Sequence, residues 1–465
     1  MRQKRIEGSN PSDSAITMNR SRAPSIIAST ALVRIQFRGF RPIWMNLPLK
    51  MVKMSWYIIG LWLTASSIAW AEPDEASLGK AQNYPVSDGN WGRTEHTRVG
   101  SWSALDRVPG VLTQKVAKAA VMEPLPHAGV VPDLQYRYRN ATYSLQEYLD
   151  RRRVTGLLIL KDGHIVYERY RYGRSDDARF LSFSMAKSVT SLLMGVALGQ
   201  GQVRSLDDEA ATYVKDLEGS AYGHTRIRDL LRMSSGVTFT ERYDGQDDVS
   251  RLSGAVSTGW PSTVNVLRSF QDRHSPPGAK FVYASSETEV LGRVLTAATG
   301  RTLAELTEQW LWQPLGAEHE AFWCTGKDRQ AAAYFCFNAS LRDWGRLGAM
   351  LARDGRVGDR QVVPRDYLLD ATDPSRQPSA FRPYRATPYF GYGYQFWLHP
   401  SKERTFVMQG VHGQAVYVQP ASGVVMVHTA VYAHPSGQQD PEPYAERNAL
   451  WLGVVEALSR SRQGS

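Results

Sequence analysis

The chain has 465 residues, 42% hydrophobic and 22% charged, the balance of a globular protein with a large core. Its formal net charge is +10, but residues 1–71 hold ten Lys/Arg against two Asp/Glu, which leaves 45 basic and 43 acidic side chains over the rest. A nearly neutral body excludes a phosphate-binding surface, so no nucleic-acid partner is expected.

Residues 1–50 show no periodic pattern and read as a non-structural extension. Lys50 and Lys53 precede "SWYIIGLWLTASSIAWA", a short apolar run ending in Ala69-Trp70-Ala71. That pattern predicts a signal peptide over 51–71, cut before Glu72, and hence an exported protein, periplasmic or secreted. The run is short and interrupted by Ser and Thr, so no stable membrane insertion is expected after cleavage. Residues 72–130 are polar with scattered Trp and Pro and read as an extended lead-in to a domain over 131–460.

Within that domain, "VTGLLILKDGHIVYERYRY" (Val154–Tyr172) is two β-rich runs around Asp162-Gly163, a hairpin signal. Helical patterns dominate from about 185 to 352. "TFVMQGVHGQAVYVQPASGVVMVHTAVYA" (Thr405–Ala433) then reads as three strands, and "YAERNALWLGVVEALSRS" as a closing helix. Strands at both ends with helices between them predict the α/β (α+β) class. One antiparallel sheet, drawn from about 154–172 and 390–433, is flanked by helices and carries an inserted all-helical region. Cys324 and Cys336 are compatible with a disulfide or with two buried thiols. There is no H-E-x-x-H, no histidine in ligand spacing to the cysteines and no glycine-rich phosphate loop, so no metal and no cofactor are expected.

The stretch "LSFSMAKSVTSLLMGVALGQG" (Leu181–Gly201) places Ser184 and Lys187 on one face of a helix whose remaining positions are apolar. Desolvation gives such a lysine a reason to lose its proton, and a neutral amine beside a hydroxyl can act as its base. The helix start also aims free N–H groups at anything bound near Ser184. Alone, S-x-x-K is weak: Ser77-Leu78-Gly79-Lys80 has the same spacing, and a serine cap with a snorkelling lysine is the plain alternative.

Further stretches follow in order: "HTRIRDLLRMSSGV", "PPGAKFVYASSETEVLGRVLTAATG", "LWQPLG", "SLRDWGRLGAML" and "GVHGQAVYVQP". With "LSFSMAKS" they resemble the serine β-lactamase-like hydrolases. The resemblance is strongest to the branch holding class C β-lactamases, serine esterases and 6-aminohexanoate-dimer hydrolase. It implies a β-lactamase/transpeptidase-like fold and an acyl-enzyme on Ser184. Lys187 and Tyr283 (of Tyr283-Ala284-Ser285) would handle protons, and the backbone N–H groups of Ser184 and Val411 would form the oxyanion hole. It implies a Tyr283 phenol depressed towards phenolate by the nearby ammonium. Tyr243, Ser285, Trp397, His412 and Gly413 are the candidate pocket residues; His412 has a structural alternative on its edge strand.

The sequence departs from the family where β-lactamases and penicillin-binding proteins carry K-T-G, for Met408-Gln409-Gly410 stands there. An anionic substrate would lose a charge-assisted contact of about 1.5–3 kcal/mol unless Arg382 or Arg385 replaced it. A neutral ester or small amide is therefore the expected substrate. A β-lactamase or D,D-peptidase and a non-catalytic cell-wall or ligand-binding member are the alternatives. Oligomeric state leaves no mark in the sequence.

Overall fold

A computed structural model describes residues 72–460 except 93, 123, 130 and 131. The extension 1–50 and the signal segment 51–71 lie outside the described residues. The main sheet has seven strands, here β1 (Val154–Lys161), β2 (His164–Tyr170), β3 (Gly391–Tyr392), β4 (Trp397–Leu398), β5 (Phe406–Gly410), β6 (Gln414–Gln419) and β7 (Val424–Ala430). Its spatial order is β3-β4-β5-β6-β7-β1-β2, antiparallel throughout. The hairpin of β1 and β2 thus joins the later strands inside the sheet, where Val427 lies opposite Leu158 and Met426 opposite Ile159.

Alternation along these strands decides which helix each face receives. Leu158, Leu160, Val416, Val425 and Val427 point to the larger core, shared with α1 (Met185–Gly199), α2 (Ser285–Thr299) and α3 (Leu341–Ala352). Leu157, Ile159, Val407, Tyr417 and Met426 point the other way, onto Leu450, Trp451, Val454 and Leu458 of α4 (Pro441–Arg460). Each of these large side chains contributes about 1.5–3 kcal/mol by leaving water. α3 lies close to the sheet because Gly348 has no side chain; a Cβ there would sit 2.5 Å from Val425 Cγ1.

Two expectations need correction. The region 185–352 is not all helical. Strands Ala321–Thr325 and Phe337–Ser340 lie within it and form a second sheet, in the order Leu112–Val116, Ala321–Thr325, Phe337–Ser340, Arg179–Leu181. Both inner strands are buried, so they lack the polar alternation that betrays a half-exposed strand. Residues 72–130 are not an extended lead-in either. They carry a helix, Arg98–Ser103, and the edge strand of that second sheet, and they bury Val99, Trp102 and Leu105. Too few apolar residues are spread along this segment to show a period; its order comes from packing on the domain. A disulfide joins Cys324, in strand Ala321–Thr325, to Cys336, the residue just before strand Phe337–Ser340. Among the described residues, no helix is long and apolar enough to cross a membrane.

Candidate active site

Ser184 sits where strand Arg179–Leu181 hands over to α1. Phe183, just before it, has φ 43, a left-handed conformation unusual for a residue with a Cβ. Packing holds that turn. The Ser182 N–H donates to Phe337 O (2.9 Å), and its hydroxyl accepts from the Phe337 N–H (3.0 Å). The Phe183 ring packs edge-on against Trp102, 4.8 Å between centroids. The supposed lead-in therefore buttresses the turn that presents the serine. β5 closes in from the other side: a Cβ on Gly410 would lie 2.3 Å from Ser182 O, so only glycine brings Val411 this near Ser184.

Lys187 lies one helical turn on and is 1% exposed. Its Nζ donates to Ser184 Oγ at 3.0 Å and to Tyr334 O at 2.8 Å. The Tyr283 and Tyr334 rings stand 5.0 and 5.5 Å from Nζ. Burial among these groups lowers its pKa to about 8, against a smaller opposing pull from the Glu241 charge. The control pair behaves otherwise: Ser77 bonds to Asp74 O and exposed Lys80 pairs with Glu75.

Tyr283 stacks on Trp397, 5.6 Å and 23° apart, and its phenol hydrogen-bonds to Ser184. Its expected depression towards phenolate is not seen. Burial, and then the negative charge of Glu241, push this phenol well above its ordinary value, so it remains a proton donor. Lys187, a weakened cation, exerts too little pull to reverse that.

Glu241 is the site residue that sequence reasoning missed. It lies in the stretch "FTERYDGQDD", where attention went to Tyr243. Its carboxylate accepts from the Tyr243 hydroxyl (2.7 Å), the Ser285 hydroxyl (2.8 Å) and the Ser285 N–H (2.8 Å) at the start of α2, where a helix terminus favours an anion. Among 45 acidic residues nothing local marks it.

Ser184, Glu241, Tyr243, Tyr283, Trp397, Gln409 and Val411 line one cavity of about 670 Å³. Tyr243 and Trp397 are thus pocket residues by position. The other three candidates are not part of this wall. Ser285 is buried behind Glu241. His412 turns away: Nδ1 bonds to Tyr432 O (2.7 Å), and the ring packs on Trp102 and Phe183. Burial, with the Arg98 charge, depresses its pKa to about 3, so it stays a neutral prop. Gly413 is packed against the Tyr432 ring. In both cases the 3-10 turn Val411–Gly413 leaves only Val411 facing the cavity.

Residues 144–450 match the Beta-lactamase family. The chain belongs to that family. It is similar to 6-aminohexanoate-dimer hydrolase of Paenarthrobacter ureafaciens, 23% identical over 372 residues that span 77% of this chain and 91% of the relative. It is also similar to a D-aminopeptidase of Brucella anthropi, 28% identical over 170 residues, 34% of this chain and 30% of that one. Among solved structures, a Bacillus anthracis protein assigned to the 6-aminohexanoate-dimer hydrolases superposes with a TM-score of 0.72. It is 22% identical, with 81% of this chain and 97% of that chain covered. EstCE1, a hydrolase with promiscuous acyltransferase activity, gives a TM-score of 0.53 at 15% identity, covering 68% and 96%.

Arg382 and Arg385 are exposed and do not line the cavity; Arg382 is tied to Gln377 O (2.8 Å) and Ser375 O (3.2 Å). Yet the cavity wall contains a guanidinium, Arg447 of α4, whose Nη2 donates to Gln409 Oε1 at 2.7 Å. The expectation of a pocket without a nearby cation does not hold. The sequence hides it because Arg447 lies 38 residues from the strand it meets.

Proposed function

We propose that this chain is an exported serine hydrolase that cleaves an ester or amide bond through an acyl-enzyme on Ser184. The contact that carries the reading is the buried Lys187 Nζ, 3.0 Å from Ser184 Oγ and poised near neutrality. In this mechanism the neutral amine takes the hydroxyl proton as Ser184 Oγ attacks the carbonyl. The negative oxygen of the tetrahedral intermediate is held by the N–H groups of Ser184 and Val411. The Tyr283 phenol gives its proton to the leaving group and recovers one from Lys187. Water then clears the acyl group by the reverse route. The names of the relatives support hydrolysis of an amide, and the same acyl-enzyme route serves an ester.

The test combines a fluorophosphonate probe with a panel of p-nitrophenyl butyrate, a small anilide and nitrocefin. Labelling at Ser184 with turnover of the ester or anilide is expected. An unlabelled folded protein that turns over nothing would establish the non-catalytic alternative, and nitrocefin as sole substrate would establish a β-lactamase.

Glu241 offers a pH prediction. Its charge holds the Lys187 ammonium up. Removing that charge in Glu241→Gln disfavours the protonated lysine, so its pKa falls. The rising limb of kcat/KM against pH, expected near pH 8 in the wild type, should move to lower pH. A limb that stays or moves to higher pH would show that Lys187 does not set it.

Export is supported by the Cys324–Cys336 bond, which an oxidising compartment sustains. Protein isolated from the cell envelope should begin at Glu72 or within a few residues of it. An intact Met1 in a cytosolic fraction would refute export.

A further inference from the structure

The segment from Ala333 to Phe337 lies along the nucleophile turn and the first turns of α1. Ala333 O accepts from the Thr190 hydroxyl (2.9 Å) and Tyr334 O from Lys187 Nζ (2.8 Å), while Phe337 holds Ser182 through both of its backbone groups. Among the described residues, Ser184 Oγ and Tyr334 O are the two partners of Lys187 Nζ. An N–H spent on Tyr334 O turns the lone pair of the neutral amine towards the Ser184 hydroxyl, the geometry a base needs.

Little regular structure fixes that carbonyl. Residues 333–335 belong to no strand or helix. Their own N–H groups make long bonds, Ala333 to Glu289 Oε2 and Phe335 to Ala332 O, both 3.4 Å. The two inner strands pair only at Phe322–Asn338 and Trp323–Phe337. Beyond that ladder, Cys324 ties the returning chain back. Its N–H donates to Cys336 O (3.0 Å), its carbonyl accepts from the Ala332 N–H (2.9 Å), and its sulfur is bonded to that of Cys336. Cys336 is two residues from Tyr334, and both are buried. Opening the S–S bond would leave the loop between the cysteines held by weak bonds alone, with more conformations open to it.

We infer that the Cys324–Cys336 disulfide is a positioning element for the nucleophile and its base: it holds Tyr334 O against Lys187, and Lys187 is fully competent only in the oxidised chain. This deepens the hydrolase reading and rests on it for the role of Lys187. The consequence is compartmental. The chain is a weak hydrolase while its cysteines are reduced and gains activity where they are oxidised.

The experiment compares oxidised wild type with Cys324→Ala/Cys336→Ala on p-nitrophenyl butyrate, at a temperature where both are folded. Wild type treated with a phosphine, which passes two electrons to the S–S bond and leaves two thiols, is the third sample and carries the comparison if the double variant does not fold. A base displaced by about an ångström loses about tenfold to hundredfold, so kcat should fall by that factor with KM nearly unchanged. Reoxidation of the reduced wild type should restore it. The titration of Lys187 gives a readout that lost stability does not move. The titratable groups facing this amine, Tyr283, Tyr334 and Glu241, are the same in all three samples. Burial is what brings it down to about 8. A loosened segment admits water, so in spectra of carbon-labelled lysine the signal that Lys187→Met removes should titrate at higher pH once the bond is gone. An unchanged kcat, even with a lower melting temperature, overturns the inference and leaves a bond that only adds stability. A lost kcat with a lysine titration that does not rise overturns it too. If oxidised wild type turns over no ester or anilide, it is the hydrolase reading that fails. The lysine titration then decides the brace alone: a rise on reduction supports it, and no rise overturns it.

Discussion

Ser184→Ala should reduce turnover of p-nitrophenyl butyrate by at least about a thousandfold while leaving the fold intact. The size follows from the unit in which Ser184 acts: without Oγ there is no acyl-enzyme, and Lys187 and Tyr283 have no proton to relay. What remains is whatever the oxyanion donors achieve on water, which in serine hydrolases is small beside the full rate. The fold should survive because Ser184 is only half-buried and its N-cap position uses no side-chain bond. Residual turnover within about tenfold of the wild type, measured on protein with unchanged thermal unfolding, would move the nucleophile elsewhere. Ser77→Ala is the control, since Ser77 lies on the surface and its hydroxyl bonds to Asp74 O.

The second large effect joins activity to stability at Lys187. Lys187→Met should lower kcat by about a hundredfold to ten-thousandfold, the usual worth of a positioned general base. Stability makes the sharper test. In the folded protein Lys187 titrates near 8 instead of 10.5. Below pH 8 both states carry the proton, and the folded state bears the full cost of a buried ammonium. Between pH 8 and 10.5 the folded state has released the proton and the unfolded state has not, so wild-type stability rises with pH. Above that window the two states match again and the cost is gone. The whole span is about 3 kcal/mol. The stability difference between wild type and Lys187→Met should therefore shift in favour of the wild type by about 3 kcal/mol from pH 7 to pH 11. Urea unfolding of both proteins at several pH values reads it, and tyrosines and arginines common to both cancel in the difference. A difference that does not change with pH would mean that Lys187 is not desolvated.

The sequence by itself determined the elements whose signal is local. The β-rich runs around Asp162-Gly163 and within Thr405–Ala433 were legible as strands, because apolar runs bounded by turn residues need no partner to be read; both faces of these strands are buried, so which side chain meets which helix was not. The spacing of Ser184 and Lys187 put both on one face of α1, because three residues make nearly one turn. The ordered series of family stretches pointed to the β-lactamase family that the match over 144–450 shows. Tertiary structure alone decided what the site is made of beyond those residues. Trp102 reaches the nucleophile turn from a segment with no period of its own. Glu241 becomes the acceptor at the start of α2 across 44 residues, and burial, with the Glu241 charge second, keeps Tyr283 a phenol instead of a phenolate. His412 is turned out of the cavity by a bond to Tyr432, and Arg447 is drawn into its wall by Gln409. Charged and polar side chains carry no periodic signature. Their roles depend on which buried donors and acceptors they meet, and those meetings are fixed only when sheet and helices pack.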